Sequence, residues 1–248
     1  MNIFAIANQK GGVGKTITVL NLGYALAALG KRTLLIDLDP QASLTQALGV
    51  NAERNNLADV LGDARPGRLA LAAIIRPIAE RLDLAPGDIA LSNTELGLGA
   101  RMAREMVLKK ALASVKGYDL ALIDCPPSLG VLSIAALVAA DAVIAPVTPD
   151  GLALRGLSMF SISFEAIKDE MNPALALLGV IITQYDKRQT LHQAALANLQ
   201  AEGLEVLGML PRRSEAARSA GAGQPSAELS PEYKAIAEKI IAWQKPKN

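Results

Sequence analysis

The stretch NQKGGVGKTIT, residues 8–18, gathers glycines, two lysines and a hydroxyl into one short segment. A phosphate-cradling loop of the common type reads G-x-x-x-x-G-K-[ST]. Gly14, Lys15 and Thr16 satisfy the end of that pattern, but Gln9 stands at the first glycine position and a second lysine, Lys10, follows it. The residue types suit an anion. Gly11, Gly12 and Gly14, with Val13 among them, let backbone N–H groups converge on phosphate. A helix starting near Lys15 adds the positive end of its dipole. Lys15 is then expected to reach the β- and γ-phosphates of a nucleotide, and the Thr16 hydroxyl to bind Mg²⁺. A dinucleotide fingerprint, G-x-G-x-x-G, is not present in the loop.

Two acidic stretches complete the chemistry. In IDLDPQ, residues 36–41, Asp37 and Asp39 lie two apart at the end of an apolar run, so both carboxylates can project on one side beside the loop. In LALIDCPPSLG, residues 120–130, four apolar residues lead into Asp124, the pattern of a strand-end acid that holds Mg²⁺ through water. Cys125 reads as a small packed residue, because no activating histidine is near it in sequence and the sole one is His192.

Such residues need elements to hold them. Apolar runs at 2–7, 32–39, 81–87, 119–124, 141–147, 176–183 and 205–210 predict strands. Helical patterns fall at 16–30, 95–115, 151–170, 189–203 and about 231–243, with 212–230 a loop. The alternation predicts βαβ units: a doubly wound α/β fold, one mostly parallel sheet with helices on both faces. No composition shift marks a linker, so a single domain over 1–248 is expected. With 51% hydrophobic residues the chain can bury a core, and its one cysteine excludes a disulfide framework. No apolar run reaches the roughly 20 residues of a membrane span, and no basic leader precedes the loop, so a cytoplasmic protein is expected. A formal charge of +1 leaves any nucleic-acid contact to a local patch.

Taken together, KGGVGKT, LLIDLDPQASLT and LIDCPPSLG resemble the deviant Walker P-loop ATPases of the ParA/MinD superfamily, most of all the short Soj-type ParA partition ATPases. LDLAPGDIALSNTE, AALVAADAVIAPV and LPRRSEAARSAGAGQP fall in family order along the chain. The resemblance implies ATP and Mg²⁺ as cofactors and weak ATPase activity. It also implies a homodimer when ATP is bound, in which Lys10 reaches the nucleotide of the facing subunit. Two lysines in one tight loop repel unless anionic ATP separates them, which suits that arrangement. By the same match Asp39 orients the attacking water, Asp37 supports the Mg²⁺ shell, Asp124 is the Walker B acid and Pro211 packs on adenine.

Two departures stand out. Ile17 occupies a position where the family commonly has a second threonine, leaving only its backbone N–H for the α-phosphate. Arg218 stands where the family's following loop has glutamate. Basic residues for DNA are Arg212, Arg213 and Arg218, joined by Lys187 and Arg188. The loop beginning near residue 8 implies no N-terminal helix-turn-helix domain, hence non-specific, phosphate-dominated DNA contact in a nucleoid-associated protein, with a ParB-like or other adaptor stimulating hydrolysis. The alternative is a MinD-like ATPase bound to membrane through the last helix. Its Tyr233, Ile236, Ala237, Ile240 and Ile241 lie near helical spacing, and packing of that face on the domain is the expected outcome.

Overall fold

The computed structural model describes residues 1–62, 69–211, 224–226 and 230–243, without the side chains of 151–158. Eight strands form one sheet: β1 (Asn2–Ile6), β2 (Thr33–Asp37), β3 (Arg76–Ala79), β4 (Leu82–Ala85), β5 (Leu120–Asp124), β6 (Ala142–Val147), β7 (Ala176–Tyr185) and β8 (Val206–Pro211). Their order is β3-β4-β2-β5-β1-β6-β7-β8, with every neighbouring pair parallel except β3–β4. The chain leaves β1 towards β2 on one side and later places β6 on the other. The end of β1 is therefore a topological switch point, where α/β sheets bind ligands.

Alternation along each strand divides the core in two, because successive side chains point to opposite faces. Ala5, Leu34, Ile36, Ala121, Ile123 and Val143 face one cluster. Phe4, Ile6, Leu35, Leu122 and Ile144 face the other. Helix α1 (Lys15–Ala28) packs on the second face through Val19, Leu20, Leu22 and Leu26. It ends where expected: Gly30 has φ 83°, and Lys31 N–H reaches the Leu26 carbonyl at 3.0 Å, a Schellman closure. The last described helix, Ser230–Ala242, lies on the same face, with Tyr233, Ile236, Ala237 and Ile240 buried. Helix α7 (Val131–Ala139) covers the opposite face, where Phe160, Phe164 and Ile167 of α8 (Gly151–Glu170) also pack.

The structure corrects two expectations and adds elements to a third stretch. The helix predicted over 95–115 is broken into α5 (Leu91–Gly99), a 3₁₀ turn at Arg104–Met106 and α6 (Val107–Ala113), with Ala103 in the left-handed region at φ 53°. The run 81–87 supplies only Leu82–Ala85, since Gly87 leaves the sheet. Between Val50 and Leu82 the chain adds α3 (Leu57–Leu61), α4 (Leu71–Ile74) and the antiparallel edge strand β3. The loop expected over 212–230 falls mostly outside the described residues.

Candidate active site

The chain turns from β1 into α1 through residues 7–14. Gly12 and Gly14 have φ of 73° and 90°, a conformation that costs other residues energy. Hydrogen bonds to β6 and β7 fasten the loop. Asn8, 2% exposed, donates to the Pro146 carbonyl of β6 at 2.8 Å and accepts from Lys10 N–H at 3.0 Å. The Thr183 hydroxyl of β7 lies 2.9 Å from the Val13 carbonyl and 3.2 Å from that of Val147.

The two lysines part company. Lys15 folds over its own loop, its Nζ donating to the carbonyls of Asn8 at 3.1 Å and Lys10 at 3.2 Å. Burial pushes its pKa down, opposed by the nearby charges of Asp124 and Asp39. Lys10 turns the other way. Its Nζ meets both oxygens of Asp150, at 2.9 and 2.8 Å, and the Thr148 hydroxyl at 3.3 Å. The repulsion expected between the lysines is thus relieved without a nucleotide, by a carboxylate just beyond β6. Lys15 lines a cleft of about 600 Å³ with Gly11, Gly12, Gly14, Thr16, Ile17 and Asp39. Lys10 lines a separate cleft of about 390 Å³ with Gly12, Thr148, Asp150, Asp186 and His192.

The acids converge because β2 and β5 are neighbours in register. Asp37 pairs with Asp124, and Ile6, the last residue of β1, pairs with Asp124 from the other side. Asp37 is fully buried, and Asp124 is 1% exposed. Burial, tempered by hydrogen bonds from Thr45, pushes Asp37 up to about 6. Burial and then the charge of Asp37 push Asp124 well above the ordinary carboxylate range. The Thr16 hydroxyl lies near enough to favour the charged form of Asp124, without a hydrogen bond of ordinary geometry. Asp39 is half-buried on the cleft wall, and its Oδ1 accepts from Gln41 N–H at 2.9 Å. Asp37 and Asp39 thus lie at different depths, one sealed in the sheet and one on the wall.

A divalent cation fits these residues. Asp37 Oδ1 and both oxygens of Asp124 are buried with no hydrogen-bond partner. Two buried carboxylates against one buried lysine leave an uncompensated negative charge, costly in a low-dielectric interior. Among the described residues no group of three or more His, Cys, Asp or Glu could hold a metal. The two carboxylates suit Mg²⁺, which takes one or two and completes its shell with water and phosphate.

Other expected residues lie farther out. Pro211 ends the edge strand β8, in register with Tyr185, and does not line the cleft. Three strand spacings of about 4.8 Å separate β8 from β1, so Pro211 sits roughly 14 Å from the loop strand, a span suited to the base of a nucleotide rather than its phosphates. Lys187 and Arg188 are exposed after β7, but Arg188 forks onto Asp186 in its own turn through two bonds of 3.0 Å. Arg212, Arg213 and Arg218 lie outside the described residues. Cys125 is buried and its thiol pKa is raised by that burial, as a packed residue requires.

Sequence reasoning missed Asn8, Thr45, Gly87, Thr148, Asp150 and Thr183. Asp150 carried one signal, an acid following the apolar run 141–147. The others act through contacts that only the fold brings together, across the sheet or between α2 and the end of β2.

Residues 1–177 match a family model described as an AAA domain. Over 232 residues the chain is 39% identical to the chromosome partitioning protein ParA of Caulobacter vibrioides, covering 91% of this chain and 86% of that one. It is also 39% identical over 248 residues to the chromosome-partitioning ATPase Soj of Thermus thermophilus, covering 96% and 94%. Among solved structures, a cobyrinic acid a,c-diamide synthase from Mycobacterium smegmatis with bound ATP analogue and magnesium matches with a TM-score of 0.84 at 38% identity, over 97% of this chain and 94% of that one.

Proposed function

The chain belongs to the ParA/Soj-type partition ATPases, and from that premise we propose that it is an ATP-driven dimerisation switch that carries a cargo on DNA. ATP and Mg²⁺ are its cofactors, in keeping with the ligands of the Mycobacterium smegmatis structure. ATP joins two subunits, the dimer binds DNA non-specifically, and a ParB-like or other adaptor stimulates slow hydrolysis that releases it. The cargo is a plasmid, a chromosome or a protein assembly, and the DNA-bound form is nucleoid-associated. All of this is assigned to one ATPase domain.

The single observation that carries the reading is the division of labour between the lysines. Lys15 lines the phosphate cleft, whereas Lys10 lines the neighbouring one and is 32% exposed. A lysine turned away from its own nucleotide cleft is suited to serve the nucleotide of a facing subunit, as an arginine finger does. Within each subunit the backbone of residues 11–17 cradles phosphate. Thr16 and Asp124, supported by Asp37, would hold Mg²⁺, which would supply charge neutralisation at the phosphates. Asp39 orients the attacking water, and Pro211 packs on adenine.

DNA contact is assigned to Arg212, Arg213 and Arg218, with Lys187 and Arg188. Dimerisation doubles that patch, so a chain of formal charge +1 binds DNA only in its ATP state. The test is DNA retention by the purified protein with ATP, ADP or no nucleotide across a salt series. Retention with ATP alone, falling steeply with salt and lost when the three arginines are reversed together, is expected. Salt-sensitive retention by the triple variant would place the patch elsewhere, and retention without nucleotide would contradict the switch. A diamide-synthase-like activity instead predicts ATP turnover that requires a carboxylic acid and an amide-nitrogen donor.

A further inference from the structure

Helix α2 (Ser43–Ala47) starts without a cap of its own, for Ala42 at its N-cap position has φ 51° and makes no side-chain bond. One N–H of its first turn is served from another element. Thr45 N–H donates to Asp37 Oδ2 at 2.8 Å, and the Thr45 hydroxyl donates to the same oxygen at 2.6 Å. Gly87 N–H donates to Thr45 Oγ1 at 3.0 Å, which leaves the hydroxyl proton directed at Asp37. The backbone closes in behind: a Cβ on Gly87 would lie 2.3 Å from the Asp37 carbonyl oxygen. Both donors from Thr45 therefore fall on Oδ2, while Oδ1 is buried without a hydrogen-bond partner.

A carboxylate on a broad, two-fold torsion can exchange its oxygens freely. Two donors on one oxygen, one of them oriented by a third group, select a single orientation. We propose that Thr45 is the positioning residue of the metal site: it holds Asp37 Oδ2 so that Oδ1 is presented to the Mg²⁺ shell. The same bonds couple α2 to that shell. Ser43, Gln46 and Ala47 of this helix line the phosphate cleft, so a cation held at one oxygen of Asp37 would be linked to a cleft wall through the other. The proposal rests on the reading of Asp37 as a support of that shell.

The test measures binding of fluorescently labelled ADP, in EDTA and across a Mg²⁺ titration. Thr45→Val, nearly isosteric but without the hydroxyl, should bind ADP in EDTA as the unmodified protein does. Its Mg²⁺ midpoint should rise about tenfold, the expected loss for one hydrogen bond to a charged group. Thr45→Ser restores the donor and should return the midpoint to within about twofold. An unchanged midpoint in Thr45→Val overturns the proposal, as does an equal loss of ADP affinity with and without Mg²⁺, which marks a merely structural role. If Thr45→Val does not fold, Thr45→Ser decides: a midpoint near the unmodified value supports the proposal, and a tenfold rise in the folded protein overturns it. Asp37→Asn separates the two claims. No change of midpoint there overturns the reading of Asp37 itself, whereas a rise there with none in Thr45→Val overturns only the role of Thr45.

Discussion

Lys10 and Asp150 form a two-oxygen ion pair that competes with the proposed trans role, since donors spent on Asp150 are not available to a facing phosphate. The pair is 32% and 42% exposed, so solvent screens it and its net worth is about 1 kcal/mol at most. Asp150→Asn is therefore expected to tighten ATP-dependent dimerisation, by no more than about fivefold. Sedimentation at a series of protein concentrations measures this, and weaker dimerisation would make Asp150 part of the interface rather than a restraint. Asp37 gives a second prediction. Its pKa is raised in the folded chain to about 6, so without metal the native state binds a proton there more tightly than the unfolded state. Its contribution to stability thus improves as pH falls from about 7 towards 4, and the cost at pH 7 is on the order of 3 kcal/mol. Asp37→Asn, neutral throughout, should melt a few degrees higher than the unmodified protein at pH 7 when metal-free, an advantage fading by pH 4. A lower Tm at pH 7 would contradict this. The loop and the acids were legible because glycine, lysine and aspartate at fixed spacing have few other uses. Asp150 and Thr45 were not, because their roles arise only where β6 meets the loop and where α2 meets the end of β2.

The last described helix tests the reading at the level of an element. Its helical spacing makes packing on the domain the expected outcome, with membrane binding as the alternative. The structure packs Tyr233, Ile236, Ala237 and Ile240 against α1 and β8, with Trp243 edge-on to Phe4 at a 5.4 Å ring separation. No helix among the described residues is long and apolar enough to cross a membrane. Ile236→Ala should therefore cost about 2–5 kcal/mol of stability, read by denaturant unfolding. A negligible loss would mean that the face is not part of the core. The parallel strands were readable as apolar runs, since both sheet faces are covered. The edge strand β3 was not: its sequence, RPIA, is short, contains proline and is only partly buried. The break at Ala103 was equally hidden, because alanine is a strong helix former and only the local fold imposes its positive φ.

At the scale of the molecule, the residues assigned to nucleotide, metal and the facing subunit converge on one end of the sheet. β5 and β2 bring the acids to one side of β1, while β6 brings Asp150 and Thr148 to the other. The phosphate loop lies between a site for its own nucleotide and a lysine directed elsewhere. A switch built this way should change its assembly state with the nucleotide rather than its fold. The most direct measurement is the mass in solution of Asp39→Ala with ATP, with ADP and without nucleotide, by light scattering coupled to size exclusion. The account predicts twice the 26.0 kDa chain mass with ATP and a single chain otherwise, because hydrolysis no longer dissolves the dimer. A single chain that nonetheless carries bound ATP would contradict it.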